Sequence, residues 1–219
     1  MTRGYLLCSL ALVIAAFAAS GVLYARLPAQ IPIHWNIEGK IDGYGAKEWA
    51  LFLTPGIMAG LLALFVALPW LSPKQFSLES FAATYGFIIM LILATTAYIH
   101  GLTLWAAAAG QVDITRALLA GLLIMFGLMG NVIGKVRRNF WVGVRTPWTL
   151  ASERVWNDTH RLAGQLFVVA AAIGLISLVL PIPLPVVVIA TIALIMVAAF
   201  VPVGYSFVQY KRLEKRGEL

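Results

Sequence analysis

The chain has 219 residues, with 16 lysines and arginines against 9 acidic residues and a formal net charge of +7. Even so, 61% of it is hydrophobic, only 11% is charged, and its mean hydropathy is +0.90. A soluble domain carries about 25% charged residues, and no single core of this length hides so much apolar surface, so lipid must solvate the chain and a soluble domain is excluded. The single Cys8 rules out an intramolecular disulfide framework and a multi-cysteine metal cluster. Inside the first apolar stretch, its thiol is expected to be buried and inert.

Six stretches are long and apolar enough to cross a bilayer: about 5–25, 51–70, 81–105, 114–134, 162–180 and 184–208. Spanning takes roughly 20 apolar residues at about 1.5 Å rise each. Backbone groups inside lipid must be satisfied within the segment, so the spans are helices. The expected fold is an all-α integral membrane protein, a bundle of six transmembrane helices with an ordered outer loop 1 and an ordered cytoplasmic loop 4. Pro55 and Pro69 bound the second span and Pro202 lies in the sixth, where kinks or shortened helical cores are expected. The Pro181–Pro185 run leaves room only for a tight turn between spans five and six. An alternative for the first span is a cleavable signal peptide ending near Ala16-Phe17-Ala18. Its apolar run is long for that role.

Orientation follows from the basic residues. With the N-terminus inside, the inner segments hold Arg3, Lys74, Lys135, Arg137, Arg138, Arg145, Arg154, Arg161, Lys211, Arg212, Lys215 and Arg216, whereas the outer ones hold only Arg26, Lys40, Lys47 and Arg116. This positive-inside bias puts both termini in the cytoplasm, and anionic headgroups account for the net charge without direct nucleic-acid binding. Trp70 and Trp105 sit at span ends and Trp49 in the first outer loop close to the second span, and interfacial anchoring is expected of all three.

Loop 1 follows the first span. Pro28 and Pro32 favour an extended entry with Ile31 and Ile33 to one side. His34-Trp35-Asn36 then offers an imidazole, an aromatic face and an amide, and the Asp42-Gly43 dipeptide signals a turn. A compact flap on the outer face is expected. A metal site would need His34 with Glu38 or Asp42, and no ligand repeat at zinc spacing supports one. In span three, His100 is the one ionisable side chain near a span interior and reads as a satisfied interfacial imidazole.

Loop 4 is the densest polar and aromatic run, with six of the basic residues and Trp141, Trp148 and Trp156 between Gly130 and Gly164. Asn139, Gly143 and Pro147 predict an irregular first half. Thr149 or Ser152 is expected to cap a helix toward Arg161, with Glu153 near its positive end. Glu153, Trp156 and His160 fall at spacings that form one stripe, and Arg145 is positioned to meet Glu153 or Asp158. Gly130 and Gly134, at small-xxx-small spacing, let the fourth helix pack closely.

These two loops carry a resemblance. Loop 4 reads N-x3-G-x-R-T-P-W-T-L-x-S-E-x-V-W-x2-T-H-R-L-A-G from Asn139 and resembles the SdpI-type immunity protein family. Loop 1 reads L-P-x2-I-P-x-H-W-N-x2-G-x2-D-G-Y-G-x-K from Leu27 and is similar to the DUF1648 module often found ahead of it. Family members often place prolines just before the Asn; here Gly134 and Arg138 stand there. The resemblance divides the chain into a DUF1648-like module over 1–70 with its outer loop at 26–50, an SdpI-like four-helix module over 81–208 with its loop at 135–162, and a basic tail over 209–219. It implies a bacterial plasma-membrane protein that protects against a secreted peptide toxin and relays to a soluble transcriptional repressor, with no cofactor. The residues it singles out are His34, Asn36, Gly39, Asp42 and Lys47 outside, and Asn139, Gly143, Arg145, Thr146, Pro147, Trp148, Trp156, Thr159 and His160 inside. Two other classes stay open: a small-molecule or lipid-handling transporter, and a membrane enzyme with His160 as base, Glu153 as its partner and Arg145 holding an anion.

Overall fold

A computed structural model of the chain describes residues 1–110 and 112–219. Six helices are long and apolar enough to cross a membrane. In chain order the elements are α1 (Arg3–Tyr24), strands β1 (Gln30–Trp35) and β2 (Ile41–Ala46), α2 (Lys47–Leu71), α3 (Ala82–Ala109), α4 (Thr115–Ile133), a short α5 (Pro147–Ala151), α6 (Glu153–Val179) and α7 (Leu184–Arg216). Loop 1 is therefore an antiparallel hairpin, and it sits at the opposite end of the bundle from the α4–α6 connection.

Two boundaries differ from those the apolar runs predict. The helix expected across the second half of loop 4 and the fifth span are one continuous element, α6, because Ser152 caps it and no breaker follows. Likewise α7 carries the basic tail as helix to Arg216, ending at Gly217 in the left-handed region (φ +66). Cys8 is exposed on α1 and is not buried in the protein as expected. Trp49, Trp70 and Trp105 are exposed near helix ends.

α2 runs through both of its prolines, and each leaves one carbonyl without its helical donor. Pro55 cannot donate to Leu51 O, and Ser20 Oγ from α1 donates to it instead at 2.7 Å. Pro69 cannot donate to Phe65 O, and Tyr85 OH from α3 donates to it at 2.6 Å. Ser20 spends its one hydrogen on Leu51, so it accepts from His100 Nε2 at 2.9 Å. His100 is thus a satisfied imidazole, but a buried one at 3% exposure: α3 continues to Ala109 and places it inside the bundle, not at its edge. In lipid an unpaired carbonyl is expensive, so these two bonds tie α1, α2 and α3 together where packing alone is weakly directional.

The second half packs by close backbone approach. A Cβ on Gly130 of α4 would lie 2.7 Å from Gly164 O of α6, and a Cβ on Gly164 would lie 2.6 Å from Gly130 O. Small residues at such crossings let dispersion and dipole contacts replace the hydrophobic drive that lipid removes. Gly134, expected to share this role, has only ordinary contacts 4.0 Å away, so its lack of a side chain is not required there. Arg116, at the start of α4, donates to Leu178 O (2.7 Å) in the last turn of α6 and to Ile182 O (3.0 Å) in the turn that follows it.

Candidate functional site

Loop 4 is built around two buried polar side chains. Asn139, wholly buried, spends its entire amide on the local backbone: Oδ1 accepts from Trp141 N (2.7 Å) and Val142 N (2.8 Å), and Nδ2 donates to Arg137 O (2.8 Å) and Val142 O (3.1 Å). This explains how an irregular segment can cross the end of a bundle without stranding backbone groups.

The second is His160, also wholly buried. Val144 N donates to its Nε2 at 2.9 Å, and its Nδ1 lies 2.8 Å from Trp156 O. A backbone amide can only donate and a carbonyl can only accept, so both bonds require the neutral ring with hydrogen on Nδ1. The ring stacks on Trp156 (centroids 4.1 Å, planes 23° apart), whose Nε1 donates to Val136 O at 2.7 Å. The chain passes over this ring at Gly143, whose φ is +109; a Cβ there would strike His160 Nε2. Only glycine meets both demands at once.

Beyond Gly143, Thr146 caps α5 in a reciprocal capping box with Thr149, and Pro147 occupies the first helical position, where its missing N–H costs nothing. Thr149 Oγ1 donates to Val144 O at 2.8 Å, and Thr146 Oγ1 meets Ser206 Oγ of α7 at 3.0 Å. Trp141 Nε1 donates to Ser72 Oγ beyond α2 at 2.7 Å, so the loop is fastened to α2, α6 and α7. Thr159 is wholly buried, and among the described residues its Oγ1 has no partner.

Three expected relations do not form. Arg145 is exposed and donates to Phe140 O at 2.5 Å rather than pairing with Glu153 or Asp158. Asp158 is instead taken by Gln209 Nε2 of α7 at 2.8 Å. Glu153 does not join the Trp156–His160 stripe. As the first residue of α6 it is exposed, while Trp156 and His160 turn inward. The pair a catalytic reading needs is therefore absent, since His160 spends both nitrogens on backbone and Glu153 points elsewhere. Trp148 is half-buried against Phe207 (4.9 Å between centroids).

At the other end, β1 and β2 pair from Gln30↔Ala46 to Trp35↔Ile41 with irregular register around His34. That irregularity separates two isoleucines expected on one side: Ile31 is wholly buried, whereas Ile33 is exposed. Asn36 shapes the turn, its Oδ1 accepting from Glu38 N (2.9 Å) and Lys40 N (3.0 Å). Gly39, at φ +82, packs where a Cβ would lie 2.6 Å from the Asp113 carboxylate, and Trp35 Nε1 donates to Val112 O at 3.2 Å. The α3–α4 connection thus seats the hairpin, a long-range partnership with no local signal in the sequence. Lys47 is structural: its Nζ donates to Tyr24 O and Leu27 O, both at 3.0 Å, where α1 ends.

What remains free on the hairpin is an open polar and aromatic face. His34 Nδ1 and Asp42 Oδ1 pair at 2.5 Å with their side chains 69% and 44% exposed. Ile33, Ile37 and Tyr44 of the hairpin are also exposed, as is Trp49 in the first turn of α2. Glu38 and Lys40 pair at 2.9 Å, and that hydrogen bond holds the Glu38 carboxyl below its ordinary pKa. The sequence singles out His34 and Asp42 separately but not their pairing, and it gives no signal for the exposed apolar side chains, which look like span or strand residues.

Residues 135–206 match the SdpI/YfhL protein family, and residues 11–59 match a domain of unknown function, DUF1648. The chain is 30% identical over 168 residues to the immunity protein SdpI of Bacillus subtilis (strain 168), covering 75% of this chain and 77% of that relative. No solved structure matches it. With both loops and their order in agreement over that length, this multi-pass membrane chain belongs to the SdpI/YfhL protein family.

Proposed function

We propose that this protein confers immunity to a secreted antimicrobial peptide toxin, and that it recognises the peptide on the face of the loop 1 hairpin. The similarity over three quarters of the chain to an immunity protein carries the first half of the reading. The second half rests on what the folded chain leaves unspent. In loop 4, Asn139, Gly143, Thr146, Trp156 and His160 are consumed by holding the loop to the bundle. On the hairpin, His34, Asp42, Ile37 and Tyr44 are available to a partner, with Trp49 at the start of α2. Mixed apolar and charged surface of this kind suits a peptide that is itself amphipathic.

The basic-residue asymmetry supports an orientation with loop 1 outside and both termini inside, in which the hairpin meets a secreted peptide before the peptide reaches lipid. A relay to a soluble repressor is part of the proposal only at the opposite face, where the motif residues Arg145, Pro147, Glu153 and Arg161 are exposed and Trp148 is half-buried. The test is survival. A sensitive bacterium expressing the protein is challenged with medium conditioned by peptide-secreting bacteria, with protease-treated medium as control. Protection against the untreated medium is expected, whereas equal killing with and without the protein would sink the reading.

A further inference from the structure

A second feature lies at the loop 4 end, in a cavity of about 310 Å³ lined by Lys74, Gln75, Ser77, Ser80, Arg137, Arg138 and Glu153. These residues come from three separated segments: the α2–α3 connection, the chain just after α4, and the first residue of α6. Three cations face one carboxylate, a local charge of +2. Among the described residues none of the three forms an ion pair, with Glu153 or any other acid, and Glu153 is the one acid in the lining to offset them.

The cavity is also organised before any ligand arrives. Arg138 Nη1 donates to Leu150 O at 3.1 Å, and its guanidinium lies 5.7 Å over the Phe76 ring, which packs on Phe140 at 4.2 Å. Arg137 has its carbonyl held by Asn139 Nδ2, so the backbone carrying both arginines is fixed by the buried amide described above. Ser77 Oγ accepts from Glu79 N, which leaves its own hydrogen to donate. Lys74 and Arg137 are exposed, and their donors are unclaimed by other side chains. Oriented N–H and O–H donors around an excess of two positive charges match a phosphate group. A phosphomonoester carries about −1.5 to −2 near neutral pH, which balances the cavity better than the single charge of a phosphodiester.

We infer that this cavity is a binding site for a phosphomonoester dianion, held by Lys74, Arg137 and Arg138 and weakened by Glu153. The group is either a lipid headgroup or a soluble phosphate, and the two sources separate experimentally. The full chain is reconstituted in phosphatidylcholine nanodiscs, and its thermal midpoint is followed by tryptophan fluorescence. One arm titrates inorganic phosphate; another compares discs doped with phosphatidic acid or with the diester phosphatidylglycerol. Saturable stabilisation by phosphate assigns a soluble ligand. Stabilisation by phosphatidic acid alone, exceeding phosphatidylglycerol, assigns a lipid.

In whichever arm responds, Lys74→Gln and Arg137→Gln weaken binding by about fivefold or more. Glu153→Gln strengthens it, and Arg212→Gln, an exposed cation on α7 outside the cavity, leaves it unchanged. The opposite sign of the Glu153 variant distinguishes a site from loss of folding. No stabilisation in either arm, or equal weakening by Arg212→Gln, would overturn the inference, as would phosphatidylglycerol performing as well as phosphatidic acid.

Discussion

Replacing Gly143 by alanine asks the most of the loop 4 geometry. At φ +109 an L side chain is strained, which costs about 1–3 kcal/mol. The added methyl also strikes His160 Nε2, so the ring must move and the Val144 N–H···Nε2 bond is lost. A buried donor and acceptor left apart cost about 1–3 kcal/mol more. The sum, about 2–6 kcal/mol, is a large share of a typical stability of about 5–15 kcal/mol. Unfolding by SDS in mixed micelles, read by tryptophan fluorescence, should show that loss. Gly204→Ala is the control: it lies within α7 with open space around its Cβ, so it should stabilise by about 0.5–1 kcal/mol. In a His160→Ala background the steric part disappears, and Gly143→Ala should cost only the backbone part. A Gly143→Ala protein within about 1 kcal/mol of wild type would refute the argument, since that loss is below the sum of the two terms.

Other consequences follow from the same bonds. Ser20→Ala strands Leu51 O and removes the acceptor of His100 Nε2, each worth about 1–3 kcal/mol; Pro55→Ala, which restores the helical donor, should recover the Leu51 share only, and a double-mutant cycle with no coupling would contradict the proline account. Asn139→Asp replaces two donors by an oxygen facing Arg137 O and Val142 O, and should lower stability by about 3 kcal/mol and expose loop 4 to proteolysis. Gly130→Ala should separate α4 from α6 and lower the thermal midpoint, whereas Gly134→Ala should leave it nearly unchanged.

Composition and hydropathy were enough to read six spans and their order, because a helix crossing lipid must declare itself as a long apolar run. They could not show where loop 4 becomes helix. Its second half is polar and continuous with α6, so the apolar run starts late and the true helix starts at the Ser152 cap. Loop 1 was legible as a turn-rich ordered segment but not as a hairpin, since its pairing is irregular around His34. Within the sites, Asn36 and Asn139 could be singled out because an amide's turn chemistry is local, but the constraints on Gly39 and Gly143 come from Asp113 and His160, far along the chain. Arg145 was misplaced because a long side chain chooses among many acceptors, and Phe140 O lay nearer than any carboxylate. The roles of Asp113 and Val112 beneath the hairpin depend on three-dimensional neighbours alone.

Toxin recognition by the hairpin is tested most directly by comparing killing curves for cells carrying wild type, Ile37→Glu on the hairpin face, or Lys215→Gln on α7, each at matched membrane levels. All are challenged with the same peptide-containing conditioned medium. Protection by wild type and Lys215→Gln, with loss of protection in Ile37→Glu, is the predicted result. Protection that survives Ile37→Glu undiminished would contradict recognition on this face.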